Sequence, residues 1–456
     1  MLLRKLYKQA RYYCLLCVVY GFVITANGQN YEQIQWREVV AVLKNVRLDT
    51  ATPVIAVIDE AVNWSVVPKR LFWENSREIP DNGLDDDGNG YVDDVRGWDF
   101  YHNDSDITND GLGSWHGTPV YSMLTEMLYD ELQLDFKFLG IEGGHSITEI
   151  KRSLEYVIAL KRLFVTSKGA AGANILVLNC SWGKEGLWAE DFPEWCALYN
   201  TLQALGVLVV GAVPNAEVNV SEVGDMPTLC SAKNYLAVTN ENENGYLETA
   251  AYSVLDVDIA APGAGSVTLL NSGKRGVFDG TSAATPYVSA VCFAIYVYSQ
   301  QFLSNESGSM PSSEWPLLVS DFVERGAFRK LSLQDKVKGG RSLNALGAVR
   351  CMLEYFMKSE LLSGTRKEVE LKSYYPNPVR KDLVFRLTSG EACQIRVVVY
   401  GMSGATIYSE NENVRLGVND LSIDFEELEV ERGVYLLAIE VPGGKVLRAK
   451  IAYLGK

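Results

Sequence analysis

Histidine is scarce in this 456-residue chain: His102, His116 and His145 are the full set. No His-Glu-x-x-His occurs, so a zincin site is excluded, as is any centre built from four histidines. Beyond the N-terminal region no apolar run is long enough to span a bilayer. Basic charge is also short, with 42 Lys and Arg against 57 Asp and Glu and a net charge of −15. That balance argues against nucleic acid as a partner. Outside the first 28 residues the cysteines are Cys180, Cys196, Cys230, Cys292, Cys351 and Cys393. Their spacings form no disulfide framework and no C-x-x-C, so at most one or two bridges are expected, with the pairing left open. Cys180 and Cys292 lie in apolar runs and read as buried small hydrophobes.

Apolar residues are abundant at 47%, with 22% charged. This is the balance of a globular chain, long enough for two or three domains of ~100–200 residues. Arg4, Lys5, Lys8 and Arg11 precede an apolar run from Cys14 to Tyr20 that extends through Ile24, and Ala26-Asn27-Gly28 follows. Residues 1–28 therefore read as a signal peptide cleaved before Gln29. A membrane anchor is the competing reading, but the run is short for a ~20-residue span. The expected product is secreted or held at the cell surface, without a transmembrane anchor.

Past residue 50, β-branched runs alternate with helical stripes. Val54–Ile58, Ile175–Leu178 and Val207–Val210 have the character of buried strands. Ile147–Phe164, Glu194–Leu205 and Pro286–Tyr298 read as helices. Such alternation predicts an α/β domain on a parallel sheet, with ligands at the carboxyl ends of its strands. From about Leu371 the pattern changes. Asp382–Leu387, Ile395–Tyr400, Gly433–Val441 and Lys445–Tyr453 form strand and hairpin signals without intervening helices. They predict a small all-β sandwich, with the domain break in the polar stretch Leu362–Lys372.

Four polar residues fall where such a sheet places a site. Asp59 ends the first strand, His116 precedes a helical pattern, Asn215 follows a buried strand, and Ser282 precedes the helix at Pro286. A serine hydroxyl needs a base to take its proton, the base needs a carboxylate to fix its tautomer, and an amide can hold an oxyanion. Taken singly, each residue has a plainer reading as a cap or a structural polar group. Chain order narrows the choice: no histidine follows Ser282, which excludes the α/β-hydrolase order of Ser, Asp, His for this serine.

In order along the chain stand Ala56-Val57-Ile58-Asp59, His116-Gly117-Thr118, Asn179-Cys180-Ser181-Trp182-Gly183, Val209–Asn215, Asp258-Ile259-Ala260-Ala261-Pro262-Gly263 and Gly280–Pro286. With these blocks the chain resembles the subtilisin-like serine peptidases (subtilases) from roughly Thr52 to Leu346. The resemblance implies a three-layer α/β domain over residues 49–361, after a short segment 29–48, and a protein or peptide substrate. It implies that Ser282 attacks the scissile carbonyl, His116 acts as base then acid, Asp59 orients His116, and Asn215 with the Ser282 N–H receives the oxyanion. Ser181, Trp182 and Gly183 would flank an extended peptide on one side, and Gly143 and Gly144 on the other. Several positions depart from the family pattern. Glu60 and Ala61 follow Asp59, Pro119 and Tyr287 stand where a second histidine is usual, Ala283 replaces Met, and Pro214 replaces the glycine before Asn215. Proline fixes φ near −65°, so the loop at Asn215 is expected to be rebuilt. A catalytically silent, peptide-binding member is the alternative these departures leave open. A surface module whose sandwich binds glycan or a partner is another.

Residues 74–113 hold 12 acidic and 2 basic residues. Within them Asp85, Asp87, Asn89, Gly90 and Asp93 occupy positions 1, 3, 5, 6 and 9 of a calcium loop, while Arg96 stands where the bidentate Glu belongs. This is no EF-hand, yet its clustered oxygens make structural Ca²⁺ the expected cofactor, against a bare solvated loop. The tail opens Tyr374-Tyr375-Pro376-Asn377-Pro378. With the Ig-like sandwich of residues 372–456 it is similar to the C-terminal sorting domain of the Bacteroidetes type IX secretion system, which implies that machinery as a partner. The segment 29–48 is short for the folded inhibitory propeptide common among subtilases, so any inhibition is expected to be short or external.

Overall fold

The computed structural model describes residues 6–7, 9–10, 30–44, 51–108, 116–303, 310–362, 369–389, 393–415, 417–442 and 446–455. The signal peptide and its cleavage site fall almost wholly outside these residues, as does most of the expected domain break. The chain divides into two compact units between Leu353 and Glu354.

The first unit is built on nine strands: β1 (Val54–Asp59), β2 (Gly97–Asp99), β3 (Lys137–Glu142), β4 (Ile175–Cys180), β5 (Leu208–Ala212), β6 (Tyr235–Glu241), β7 (Ile259–Pro262), β8 (Phe328–Arg329) and β9 (Arg341–Ser342). Their order across the sheet is β8-β9-β7-β6-β5-β4-β1-β3-β2. Every pairing is parallel except β8 with β9. Strands β1, β4, β5 and β6 are buried along their whole length. This is why β1, β4 and β5 read as largely apolar runs without polar alternation.

Helices cover both faces. On one face α3 (Ile147–Thr166) and α4 (Pro193–Ala204) bury Ile150, Leu154, Val157, Trp195, Tyr199 and Leu202 in one cluster with Ala56, Ile58, Leu139 and Val209. On the other, α5 (Thr281–Leu303) packs along β4, β5, β6 and β7. Ser146 caps α3 by accepting from the Glu149 N–H, while the Glu149 carboxylate takes the His145 N–H. That reciprocal box fixes where the helix starts. The segment expected as a short extension carries a helix, α1 (Trp36–Leu43), docked on α5: the Tyr298 hydroxyl donates to the Leu43 carbonyl and Tyr31 meets Tyr287 edge-on.

Three features refine the reading from sequence. The buried helix begins at Thr281, five residues before Pro286, so Ser282 lies in its first turn. The acidic stretch 74–113 is not all loop. It supplies β2 as an edge strand, because Trp98 and Phe100 are apolar enough to join the core. Ser181–Gly183 is not itself a strand of the sheet but runs on beyond the end of β4. Among the described residues one disulfide forms, Cys196–Cys230, with Cα atoms 5.1 Å apart, while Cys180 and Cys292 are buried thiols as expected.

The second unit contains β10 (Val369–Tyr375), β11 (Asp382–Ser389), β12 (Cys393–Gly401), β13 (Thr406–Val414), β14 (Gly417–Asp424), β15 (Gly433–Glu440) and β16 (Val446–Tyr453). They form antiparallel sheets ordered β10-β11-β14 and β13-β12-β15-β16. Phe385 and Leu387 of one sheet share a core with Val397, Val399, Leu437, Ile439 and Ile451 of the other. This is the expected sandwich.

Gly117 opens α2 (Gly117–Thr125) directly against the chain after β1. A Cβ there would lie 2.1 Å from the Glu60 carbonyl oxygen and 2.6 Å from that of Ala61. Gly117→Ala must push the start of α2 off this backbone. We expect a loss of about 1–3 kcal/mol in urea unfolding, the usual cost of overpacking.

Candidate active site

Parallel strands of one sheet end on the same edge, and here four of those ends supply the site. β1 ends in Asp59, β3 leads into Gly143-Gly144, β4 into Ser181-Trp182-Gly183, and β5 into Val213-Pro214-Asn215. Helices α2 and α5 bring the other two groups: His116 is the residue before α2, and Ser282 sits in the first turn of α5. Asp59, His116, Asn215, Ser282, Gly143, Gly144, Ser181, Trp182 and Gly183 all line one cleft of about 500 Å³. Every catalytic and peptide-flanking residue singled out from the sequence is in it.

Asp59 is 2% exposed. Its Oδ1 lies 2.6 Å from His116 Nδ1 and accepts the Glu60 N–H at 2.8 Å, while its Oδ2 is buried with no hydrogen-bond partner among the described residues. With Nδ1–H donating to the carboxylate, the neutral ring presents Nε2 as an acceptor. Burial alone would lower the His116 pKa, but the charge and hydrogen bond of Asp59 and the charge of Glu60 outweigh it. The net direction is up. Glu60 also holds the His116 backbone, its carboxylate accepting the N–H at 3.2 Å. The ring edge meets Phe278 at 5.4 Å between centroids.

Ser282 is 6% exposed and is tied to the peptide-flanking segment twice. Its hydroxyl donates to the Ser181 carbonyl at 2.9 Å, not to His116, and the Ser181 hydroxyl donates back to the Ser282 carbonyl at 3.2 Å. The second bond exists because Pro286, four residues on, has no N–H to offer that carbonyl. Asn215 Oδ1 accepts the Thr281 N–H at 2.9 Å and the Thr281 hydroxyl at 3.0 Å. This turns the amide oxygen toward the start of α5 and leaves Nδ2 as the donor of the side chain. Pro214 does not remove Asn215 from the site. Its carbonyl accepts the Ala251 N–H at 2.9 Å and Val213 N–H donates to Val238, which holds the loop without a glycine. Trp182 donates its indole N–H to the Ile58 carbonyl at 3.0 Å, locking one wall of the cleft to β1.

Two groups of possible metal ligands come together. Glu78, Asp85 and Asp87 bring one oxygen each to within 4.8 Å of one another. Asp93, expected in that set, is absent from it: its two oxygens accept the backbone N–H groups of Asn82 and Gly83. Asn89 Oδ1 accepts the Tyr91 N–H. Glu78, from outside the nine-residue run, takes the third place, and burial and the charges of Asp87 and Asp86 push its pKa up. Asp99, His102 and Glu142 form the second group. Glu142 was not singled out from sequence, although it ends β3 as Asp59 ends β1. Burial first, then Asp99, Glu60, Asp104 and Asp106, push its pKa up to about 9.

Comparison with known proteins accords with this geometry. The subtilase family matches residues 50–325, and the secretion-system C-terminal sorting domain matches residues 373–452. Subtilisin-like protease 1 of Plasmodium vivax is 24% identical over 325 residues, covering 62% of this chain and 49% of that protein. Its namesake in Plasmodium falciparum (isolate 3D7) is 24% identical over 268 residues, covering 53% and 37%. The chain therefore spans half or less of the length of these relatives. Among solved structures, the epidermin leader peptide processing serine protease of Staphylococcus aureus overlaps with a TM-score of 0.48 at 18% identity, covering 71% of this chain and 82% of that one. The A-subunit of the AB5 toxin from E. coli overlaps with a TM-score of 0.47 at 20% identity, covering 71% and 98%. The assignment rests on the family match, which takes in more than half of the sequence: the chain belongs to the subtilase family.

Proposed function

We propose that this subtilase is an exported serine endopeptidase that cleaves proteins or peptides through an acyl-enzyme. The observation that carries the reading is the convergence of Asp59, His116, Asn215 and Ser282 on one cleft from separate strand ends and helix starts. Ser282 Oγ attacks the scissile carbonyl as His116 Nε2 takes its proton. The imidazolium that forms is stabilised by Asp59 through Nδ1–H, and it returns the proton to the leaving amine. Asn215 Nδ2 and the Ser282 N–H, at the start of α5, donate to the oxyanion. Water then repeats the sequence on the acyl-enzyme. The sorting-domain match supports passage through the type IX machinery and attachment at the cell surface. No helix among the described residues is long and apolar enough to cross a membrane. One observation favours a silent, peptide-binding member instead: the Ser282 hydroxyl is engaged with Ser181. A catalytic hydrogen bond that forms only with substrate bound would leave the empty site in this state.

A fluorophosphonate probe separates the two. Covalent labelling of wild type, absent in Ser282→Ala, supports the peptidase, and an unlabelled wild type supports the silent reading. Hydrolysis of an unfolded protein should fall to background in Ser282→Ala and in His116→Ala. Because the base must be neutral and His116 is shifted upward, kcat/KM should rise with pH through a midpoint above 6.5.

Asn215→Ala should lower kcat with little change in KM, since the oxyanion exists only after attack. The expected loss is about 10²–10³-fold, the cost of removing the corresponding amide in this family's type enzyme. Pro214→Gly should change kcat little, because the loop already aims Asn215 at Thr281. A large gain would mean that the proline misplaces the amide.

We further propose that the acidic loop takes structural Ca²⁺, with Glu78, Asp85 and Asp87 as its carboxylate ligands. A donor set of oxygens alone suits this hard cation, and it would relieve the repulsion that raises Glu78. Added Ca²⁺ should stabilise the fold, by about 2.7 kcal/mol at a hundredfold excess over Kd. Chelator should lower the melting temperature by several degrees. Asp85→Ala with Asp87→Ala should abolish the difference.

A further inference from the structure

His102 has no place in the proposed mechanism, yet it stands beside two buried carboxylates. β2 and β3 pair in register, so that Asp99 and Glu142 end neighbouring strands side by side. His102 follows on the turn that leaves β2, and its Nδ1 lies 2.6 Å from Asp99 Oδ2. One nitrogen of His102 and one oxygen each of Asp99 and Glu142 come within 4.8 Å of one another.

The turn is held by bonds that leave these atoms free to serve. Asp99 and Asp104 exchange backbone hydrogen bonds at 2.8 and 3.1 Å, and the Phe100 N–H donates to the Glu142 carbonyl at 2.9 Å. Asp99 Oδ1 accepts the N–H groups of Tyr101 and His102, at 2.6 and 2.9 Å. The Glu142 side chain is the one left wanting. It is 4% exposed, and its Oε2 is buried with no hydrogen-bond partner among the described residues. The charges that bear most on it are those of Asp99, Glu60, Asp104 and Asp106, all negative. A bare carboxylate oxygen buried among like charges is costly unless a cation reaches it.

The donor set says which cation suits. Ca²⁺ and Mg²⁺ take oxygen ligands, whereas imidazole beside carboxylates suits Zn²⁺ and its neighbours in the first transition row. Three protein ligands leave a position for water. The His102 side chain is 31% exposed while that of Asp99 is fully buried, so an ion can enter from solvent past the histidine.

We propose that Asp99, His102 and Glu142 bind a divalent ion of the zinc class, at a site separate from the acidic loop and from the Asp59–His116 pair. The ion supplies the counter-charge that the two carboxylates lack and gives the bare Glu142 oxygen a partner. It ties the turn after β2 to the end of β3, the strand next to the one that carries Asp59. The site stands whether or not Ser282 is catalytic.

The test titrates zinc chloride by calorimetry into full-length protein stripped of metal and then given excess Ca²⁺, which keeps the acidic loop supplied. Wild type should take up one Zn²⁺ per chain. His102→Ala and Glu142→Gln should each weaken that uptake by at least about 100-fold, since losing a group that merely supports a ligand already costs about 10- to 100-fold. Zn²⁺ should raise the melting temperature of wild type by a few degrees and leave that of His102→Ala unchanged. His102→Ala alters a partly exposed ring on a turn, so it remains readable where Glu142→Gln fails to fold. His116→Ala should bind Zn²⁺ as wild type does. Uptake that survives His102→Ala, or that vanishes in His116→Ala, puts the ion elsewhere and overturns the proposal. So does a wild type that takes up no Zn²⁺, which leaves Asp99 and His102 as a hydrogen-bonded pair alone.

Discussion

The cleft depends on a reciprocal pair of hydrogen bonds between two serines 101 residues apart. Ser282 donates to the Ser181 carbonyl and Ser181 donates to the Ser282 carbonyl. The pair fastens the first turn of α5 to the chain leaving β4, and so sets Ser282 against the segment Ser181–Gly183. It is available only because Pro286 withholds the N–H that would otherwise close the helix onto Ser282. A proline inside a helix is normally a defect. Here the carbonyl it strands is the acceptor that joins helix to sheet. Asn179 supports the same junction, its amide donating to the Ser181 hydroxyl and its oxygen accepting from Ser289 one turn after Pro286.

The second constraint is electrostatic. Asp59, Glu60, Asp99 and Glu142 crowd the edge where β1, β2 and β3 end, and β1 and β3 pair in register so that Asp59 stands opposite Glu142. So many anions cannot all ionise cheaply in a buried edge. Burial first, and then these neighbouring charges, push Glu142 toward its neutral form, and Asp59 accepts hydrogen bonds from His116 and the Glu60 N–H. In the proposed reaction the same negative surroundings favour the imidazolium that His116 forms during proton transfer. Glu60, a departure from the family pattern, adds to this stabilisation and holds the His116 backbone as well.

Much of this was legible in the sequence, for identifiable reasons. Buried parallel strands announce themselves as unbroken apolar runs, so β1, β4 and β5 were found within two residues of their ends. A polar residue terminating such a run marks the functional edge of the sheet, which located Asp59 and pointed to Asn215. The start of α5 was misplaced because Pro286 reads as a helix opener, and nothing local reveals that Ser181 compensates for it across the sheet. Glu78 was missed for a similar reason: its carboxylate meets those of Asp85 and Asp87 only once the chain folds. Asp93 sits at a ligand spacing in sequence, yet the turn at Asn82-Gly83 claims both its oxygens.

The loop at Asn215 illustrates how a departure from a family motif can leave its chemistry in place. Glycine before the amide offers backbone freedom, and proline takes it away. What the site needs, however, is one direction for one N–H bond. That direction is fixed from the other end of the side chain: Thr281 supplies both a backbone and a hydroxyl donor to Oδ1, so the amide plane is set whatever φ the preceding residue adopts. The backbone bonds of Val213 to β6 and of Pro214 to Ala251 then hold the loop at the right height. Since Thr281 is the residue next to Ser282, the Asn215 amide and the Ser282 hydroxyl are referenced to the same turn of helix. A shift of α5 would carry both together, which is the property the proposed oxyanion site requires.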